Sequence, residues 1–327
     1  MTARAAVLRH PANGSIRIGV SSCLVGNEVR YDGGHKRDAF LVGTFGQYVE
    51  WVPVCPEVEL GLGVPRPTLR LEHRDGKLRL IMPQTQTDHT DAMRRYADQR
   101  VAELADAGLC GYVLKKDSPS CGMERVKVYS GKTLPSRRGR GLFAEALMRR
   151  LPQLPIEEEG RLCDPRLREN FVERVFAYRR IQALFGGRWT LGDLVRFHTA
   201  HKLQLLAHST TVYQRLGRLV AAAKSMPRAT LRERYQVDFM AALAVLATPG
   251  RHANVLQHIA GYFMKQLDGA SRQELQAVVD DYRRGLVPLI VPMTLITHYV
   301  RHFEIDYLAE QVYLDPHPKE LMLRNHV

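Results

Sequence analysis

The sequence predicts an α/β amino-terminal domain, with a mostly parallel sheet flanked by helices, followed by an all-α carboxyl-terminal domain. Three observations carry that expectation. Short β-branched or apolar runs alternate with glycine-rich turns and helical stretches over the first half of the 327 residues, the pattern of strand–helix–strand units. Strand patterns nearly vanish beyond residue 165. Long stretches with apolar residues at helical spacing replace them, which places the two domains at 1–165 and 166–327.

Taken in order, SIRIGV (15–20), YVEWVPV (48–54), KLRLIM (77–82) and GYVL (111–114) read as strands. DAMRRYADQRVAELADAG (91–108) reads as an amphipathic helix closed by Gly108. The acidic EEEG (157–160) and CDP (163–165) read as the turn between domains. Helical patterns then run over 167–185, 190–222, 231–246, 252–267, 272–284 and 292–313.

The totals narrow the function. A 45% hydrophobic chain of this length can bury ordinary cores. The longest apolar run, LVPLIVPMTLI (286–296), contains two prolines and falls short of the ~18 residues a membrane helix needs. The amino-terminal MTARAAVLRHPANGS has no apolar h-region, so a cytoplasmic protein is expected. A formal charge of +13, from 47 Lys and Arg against 34 Asp and Glu, favours a polyanionic partner, with nucleic acid first. The densest basic patches are SRRGR (136–140), holding Arg137, Arg138 and Arg140, and a helical string that begins with Arg196, Lys202, Arg215 and Arg218 and continues through Lys224, Arg228, Arg232 and Arg234. The alternative reading of such a string is a solvated helix face.

Of five cysteines, three follow strands. Cys23 lies in SSCLVG after the first strand, Cys55 directly follows the second, and Cys121 lies in KKDSPSCG after the fourth. Ligands of an open parallel sheet collect at the carboxyl ends of its strands, so these thiols are expected to meet at one edge. Three thiolates without a fourth ligand point to a metal centre with an open position, because structural zinc and electron-transfer clusters favour four protein ligands. Three buried thiols in an α/β core are the alternative. Cys110 and Cys163 read as buried or incidental thiols. Near the three cysteines stand a candidate acid or base, Glu57, a hydroxyl, Ser118, and a turn, Asp32-Gly33-Gly34, whose glycines allow close backbone approach. Arg66 and Lys116 are candidate phosphate or base contacts. His198, His201 and His208 fall on one helical stripe and read as packing or RNA contacts before a second metal site.

SSCLVGNEVRYDGG, PVCPEVELGLGVPRP and LKKDSPSCG closely resemble the motifs of the thiouracil desulfidase (TudS-like) domain, over residues 14–160. LVRFHTAHKLQLLAHS (194–209), HIAGYF (258–263) and YLDPHP (313–318) resemble the YbgA-like helical domain. That combination is similar to the tRNA 4-thiouridine desulfidases (RudS-like). The resemblance implies a 4Fe-4S cluster on Cys23, Cys55 and Cys121, with Glu57 and Ser118 as the catalytic pair. It implies a non-redox exchange of sulfur for oxygen, with the substrate sulfur bound at the open iron and 4-thiouridine-containing tRNA as partner. Glu57 is expected to activate water and handle protons, and Ser118 to position the base. Pro119 is expected to stiffen the loop. Asp32, Arg66 and Lys116 are substrate-contact candidates; Arg137, Arg138, Arg140, Arg196, Lys202, Arg215 and Arg218 are RNA-contact candidates. Other readings are desulfuration of free thiouracil or thiouridine, a noncatalytic iron-sulfur RNA-binding sensor, and a structural zinc module.

Overall fold

The structure is a computed structural model that describes residues 15–131 and 134–327. The amino-terminal segment 1–14, read for targeting signals, lies outside the described residues. Two compact units divide the chain, Ser15–Cys163 and Asp164–Val327.

The first unit has the predicted parallel sheet. Its strands are β1 (Ile16–Ser21), β2 (Val49–Val54), β6 (Gly111–Leu114) and β9 (Ile156–Glu158), in the order β2-β1-β6-β9 with every pairing parallel. Central β1 and β6 read as near-continuous apolar runs because both faces are covered, and Ile18, Val20, Tyr112 and Val113 are fully buried. The ring of Tyr112 lies where a side chain at position 19 would stand, so β1 and β6 pack closely only with Gly19 between them.

The structure corrects two of these expectations. KLRLIM is β4 (Lys77–Met82), and it belongs to a second sheet in the order β5-β4-β3-β7-β8, completed by β3 (Arg70–Arg74), β5 (Thr87–Asp88), β7 (Val126–Tyr129) and β8 (Ser136–Gly139). All its pairings are antiparallel except β3 with β7. A two-residue turn, Asp75-Gly76 with positive φ at both positions, folds β4 back on β3. The EEEG stretch is not a free turn, because Glu157 and Glu158 lie in β9 and are buried. Acidic composition hid the strand; its carboxylates are occupied by hydrogen bonds from neighbouring loops.

The second unit is helical: Pro165–Phe185, Leu191–Ala200, Lys202–His208, Thr210–Ala221, Arg228–Ala244, Pro249–Ala260, Gly269–Arg283, Ile290–His302 and Asp306–Ala309. Asp164 caps the first of these, accepting from the amides of Arg166 and Leu167, with Pro165 at the first helical position. The single helix expected over 190–222 is three. His201 leaves helical geometry, and Ser209 is extended and caps the next helix through the amide of Val212. The pattern expected over 292–313 likewise ends at His302, before Glu304 takes a positive φ.

The break at His201 has a packing consequence. Helix Lys202–His208 sends Leu205 into one apolar cluster, around Ile181, Phe197, Tyr235 and Phe239, and Leu203 and Ala207 into another, around Leu256, Ile259, Phe263 and Ile296. It also directs Gln204 and His208 to buried Glu173, which accepts from Gln204 Nε2 at 2.8 Å and meets His208 Nε2 at 3.2 Å. Burial alone would raise the Glu173 carboxyl, yet His208 and Arg324 hold it well below the ordinary range. Removing one partner of a buried pair strands the other charges. Glu173→Ala is therefore expected to destabilise the helical unit by roughly 3–5 kcal/mol, read from urea unfolding of the full chain; a loss under about 1 kcal/mol would contradict this, since that is the range of an exposed pair.

Candidate functional site

All three strand-end cysteines stand at the carboxyl edge of the parallel sheet, each presented by a different local device. After β1 a tight 3-10 turn, Ser22–Val25, carries Cys23 and closes on Gly26, whose φ of 102° favours glycine. After β2, Cys55 is the cap residue of the one-turn helix Pro56–Glu59, and its amide donates to Glu59 Oε1 at 3.0 Å. After β6, the 115–121 loop folds on Ser118. The Ser118 hydroxyl oxygen accepts from the amides of Ser120 (3.2 Å) and Cys121 (3.0 Å), and Gly122 N–H returns to the Ser118 carbonyl at 2.8 Å.

That loop is anchored on β1 and β9. The Lys115 amide donates to Ser21 Oγ at 2.9 Å, the Lys115 ammonium pairs with Glu159, and the Lys116 amide reaches Glu159 Oε2 at 2.8 Å. Beyond Cys121, the Met123 amide donates to Glu158 Oε1 at 2.6 Å. The acids of the EEEG stretch thus fix both ends of the segment carrying Ser118 and Cys121.

Cys23, Cys55 and Cys121 line one cavity of about 360 Å³, together with Glu57, Arg66, Lys116 and Ser118. Arg30, Lys36 and Lys115 also line it, giving its wall positive charge. Burial pushes the Cys23 thiol up to about 11, against the pull of Lys115, and raises those of Cys55 and Cys121. A hydrogen bond with Ser21 opposes the rise at Cys121. Among the described residues no three His, Cys, Asp or Glu side chains are gathered as ligands of one metal ion. A single zinc ion holds its thiolates at about 2.3 Å, whereas thiols spread around a cavity of this size leave room for a larger group.

The carboxylate of Glu57 is fixed on both oxygens. Arg66 donates to Oε2 through Nε (3.0 Å) and Nη2 (2.7 Å), and the Ser120 hydroxyl donates to Oε1 (2.9 Å). Arg66 Nη1 donates to the carbonyls of Val29 and Gly63, so four of the five guanidinium N–H groups have protein acceptors. The Cys55 thiol also faces the Val29 carbonyl, at 3.7 Å. Arg66 therefore ties Glu57 to the loop behind Cys55, and its buried guanidinium is committed to those contacts. Asp32, a predicted substrate contact, is not among the residues lining the cavity; it pairs with Arg30 at 3.2 Å and accepts the Gly34 amide. Sequence reasoning missed Ser120, Ser21, Arg30 and Lys36. Ser120 was visible only as the second serine of DSPSCG.

Cys110 is buried and Cys163 exposed. In the first unit, Arg137 lies beside Asp117, a cavity-lining residue, at 3.7 Å; Arg138 is exposed and Arg140 donates to the Met123 carbonyl. In the helical unit, Arg196 pairs with Asp193, Arg215 makes a two-pronged contact with Asp238, Lys202 stands over Tyr307, and Arg218 is exposed. The three histidines are held apart by separate partners: His198 meets the Tyr235 hydroxyl at 3.1 Å, His201 the Phe197 carbonyl at 2.7 Å, and His208 joins Glu173. Burial pushes His198 down to about 4 and His201 down to about 3, so both are neutral packing groups.

Comparison with known proteins follows the same division. Residues 18–159 match the family model described as 2-thiouracil desulfurase, and residues 202–318 match DUF1722, a protein family of unknown function. Over 161 residues the chain is 34% identical to the uncharacterized protein YbgA of Escherichia coli (strain K12), covering 49% of this chain and 95% of that protein. The chain belongs to the YbgA family. Its first unit carries a TudS-like, 2-thiouracil desulfurase domain, as the cysteine motifs implied. The solved structure of a 4Fe-4S-dependent thiouracil desulfidase, TudS, is 30% identical, over 46% of this chain and 94% of that one, with a TM-score of 0.38. At that score the likeness adds nothing to the fold described above.

The glycine at 141 tests how tightly the Cys121 loop is set. A Cβ there would stand 2.9 Å from the Cys121 amide nitrogen, closer than real contacts allow. Gly141→Ala is expected to displace Cys121 and lower the iron retained per chain after anaerobic reconstitution, while unfolding by urea stays cooperative. Unchanged iron content would show that the loop tolerates the shift.

Proposed function

We propose that the protein is an iron-sulfur-cluster-dependent desulfidase that converts 4-thiouridine in tRNA to uridine. The observation that carries this reading is the meeting of three cysteines, an oriented carboxylate and a hydroxyl in one basic-walled cavity. The match to the 2-thiouracil desulfurase family and the 30% identity to the 4Fe-4S-dependent TudS support it. The donor set fits a 4Fe-4S cluster: Cys23, Cys55 and Cys121 would hold it, and the surrounding Arg30, Lys36 and Lys115 offset the negative charge that cluster and thiolates bring. When bound, such a cluster with three protein ligands supplies a Lewis acid for the thiocarbonyl sulfur.

The reaction balances as a hydrolysis. Water adds oxygen to the ring carbon, the carbon–sulfur bond breaks, and hydrogen sulfide leaves, with no electrons gained or lost. Glu57 is the group to take the proton from water, and Arg66 and Ser120 keep its carboxylate aimed. Ser118 uses its oxygen to accept two amides, which leaves its O–H proton to donate to the substrate base. A phosphate at the mouth would meet Lys116 and Lys36.

A tRNA substrate gives the +13 charge a use, through release of counterions from its backbone. Arg137 lies beside the cavity-lining Asp117, which supports a role for the SRRGR patch near the cavity. Arg196, Lys202, Arg215 and Arg218 would take further phosphates; the surface ion pair of Arg196 is weak enough to exchange. The thiolated base must leave its stack to enter, at a cost of a few kcal/mol, about that of base flipping.

Anaerobic reconstitution with iron and sulfide, followed by incubation with 4-thiouridine-containing tRNA, tests the reading. Loss of thiocarbonyl absorbance with equal sulfide release, abolished in Cys121→Ala together with the cluster, is the expected result. Retained sulfur in tRNA alongside turnover of free thiouracil would replace tRNA by the free base; no turnover of either would sink the enzyme reading. Glu57→Gln is expected to stop turnover and keep the cluster spectrum. Arg66→Lys keeps the charge but loses the two-pronged contact, so kcat is expected to fall by about tenfold or more, with the spectrum again retained. Raising salt from about 50 to 200 mM should weaken tRNA turnover at least tenfold; a flat response would remove the basic surface from the account.

A further inference from the structure

We propose that the helical unit carries a stacking platform for an unpaired RNA base, made by Tyr262 and Tyr307 with His258 and Lys202 beside them. It rests on the RNA substrate proposed above and names the surface that would hold it.

Three segments bring these side chains to one place. Tyr262 follows helix Pro249–Ala260 and is 42% exposed. Its ring stacks on that of Tyr307, from the short helix Asp306–Ala309, with centroids 5.4 Å apart and planes at 26°. His258, one turn before Tyr262, meets the ring edge-on at 5.7 Å. The ammonium of Lys202, at the start of helix Lys202–His208, lies 5.9 Å from the Tyr307 ring centroid.

The corner is rigid from below. Phe263, next in sequence to Tyr262, is fully buried and packs on Tyr299 and Phe303. The exposed part of Tyr262 thus offers an aromatic surface backed by the Tyr307 ring, with the Lys202 cation nearby. That chemistry suits a nucleobase and its phosphate: every base has a π-face to stack, and lysine meets the backbone charge. A second aromatic pair, His198 on Tyr213 with centroids 5.5 Å apart and planes at 7°, belongs to the segments that carry Arg196, Arg215 and Arg218.

Stacking and charge contacts respond differently to salt, and this separates them. The measurement is the affinity of the full-length protein for 4-thiouridine-containing tRNA by fluorescence anisotropy, across a salt series. Tyr262→Ala is expected to weaken binding about 5- to 100-fold, with the slope of log affinity against log salt unchanged. Tyr262→Trp, which keeps a π-face, is expected to bind like the parent chain. Lys202→Ala is expected to flatten the slope by about 0.7–0.9. Parental affinity in Tyr262→Ala, or an equal loss in Tyr262→Trp, would overturn the platform. If the parent chain itself does not bind tRNA, the failure lies with the RNA substrate, and the platform falls with it.

Discussion

The arrangement on which the candidate site depends is the parallel order β2-β1-β6-β9 of the first sheet. Parallel strands put their carboxyl ends side by side, and the order changes direction around β1: its first crossover leads to β2 on one flank, the later one to β6 on the other. Loops leaving neighbouring strands in such a sheet diverge and open a crevice. Cys23, Cys55 and Cys121, distant in sequence, line that crevice because each sits in the loop that leaves the carboxyl end of its strand. An antiparallel strand among these would send its thiol to the opposite edge, and a one-residue register slip would turn its side chains to the other face.

Holding the loops once they meet is a second task, and charged side chains carry most of it. Arg66 joins Glu57 to the carbonyls of Val29 and Gly63; Glu158 and Glu159 hold the segment from Lys115 to Met123. Charged hydrogen bonds of this kind are worth about twice neutral ones, and their geometry is directional. They fix atoms that apolar packing alone would leave free to slide. In the proposed reaction Glu57 gains from that rigidity, because the direction in which it would accept a proton is set before substrate arrives.

The helical unit solves a different problem. Its two apolar clusters share the short helix Lys202–His208, and the same helix delivers Gln204 and His208 to Glu173. Glu173 accepts from Gln204 and meets His208 there, and such directional contacts restrict the packing where leucines alone permit several arrangements. Its surface, in contrast, combines exposed tyrosine and histidine rings with arginine and lysine.

The sequence by itself determined the fold class, most helices of the second unit, and the three cysteine segments with Glu57 and Ser118. Periodicity and local motifs encode those within a few residues of one another. It did not place KLRLIM in a separate sheet, because a strand's pattern records that one face is buried and not which strand lies beside it. It read EEEG as a turn, since the amides that make a buried Glu158 tolerable come from a loop more than thirty residues away in sequence. It offered Arg66 as a substrate contact, whereas the folded chain commits that guanidinium to Glu57 and two carbonyls. Only tertiary structure decided these assignments, because the energy of a buried charge depends on which groups surround it, and those groups become neighbours only when the chain has folded.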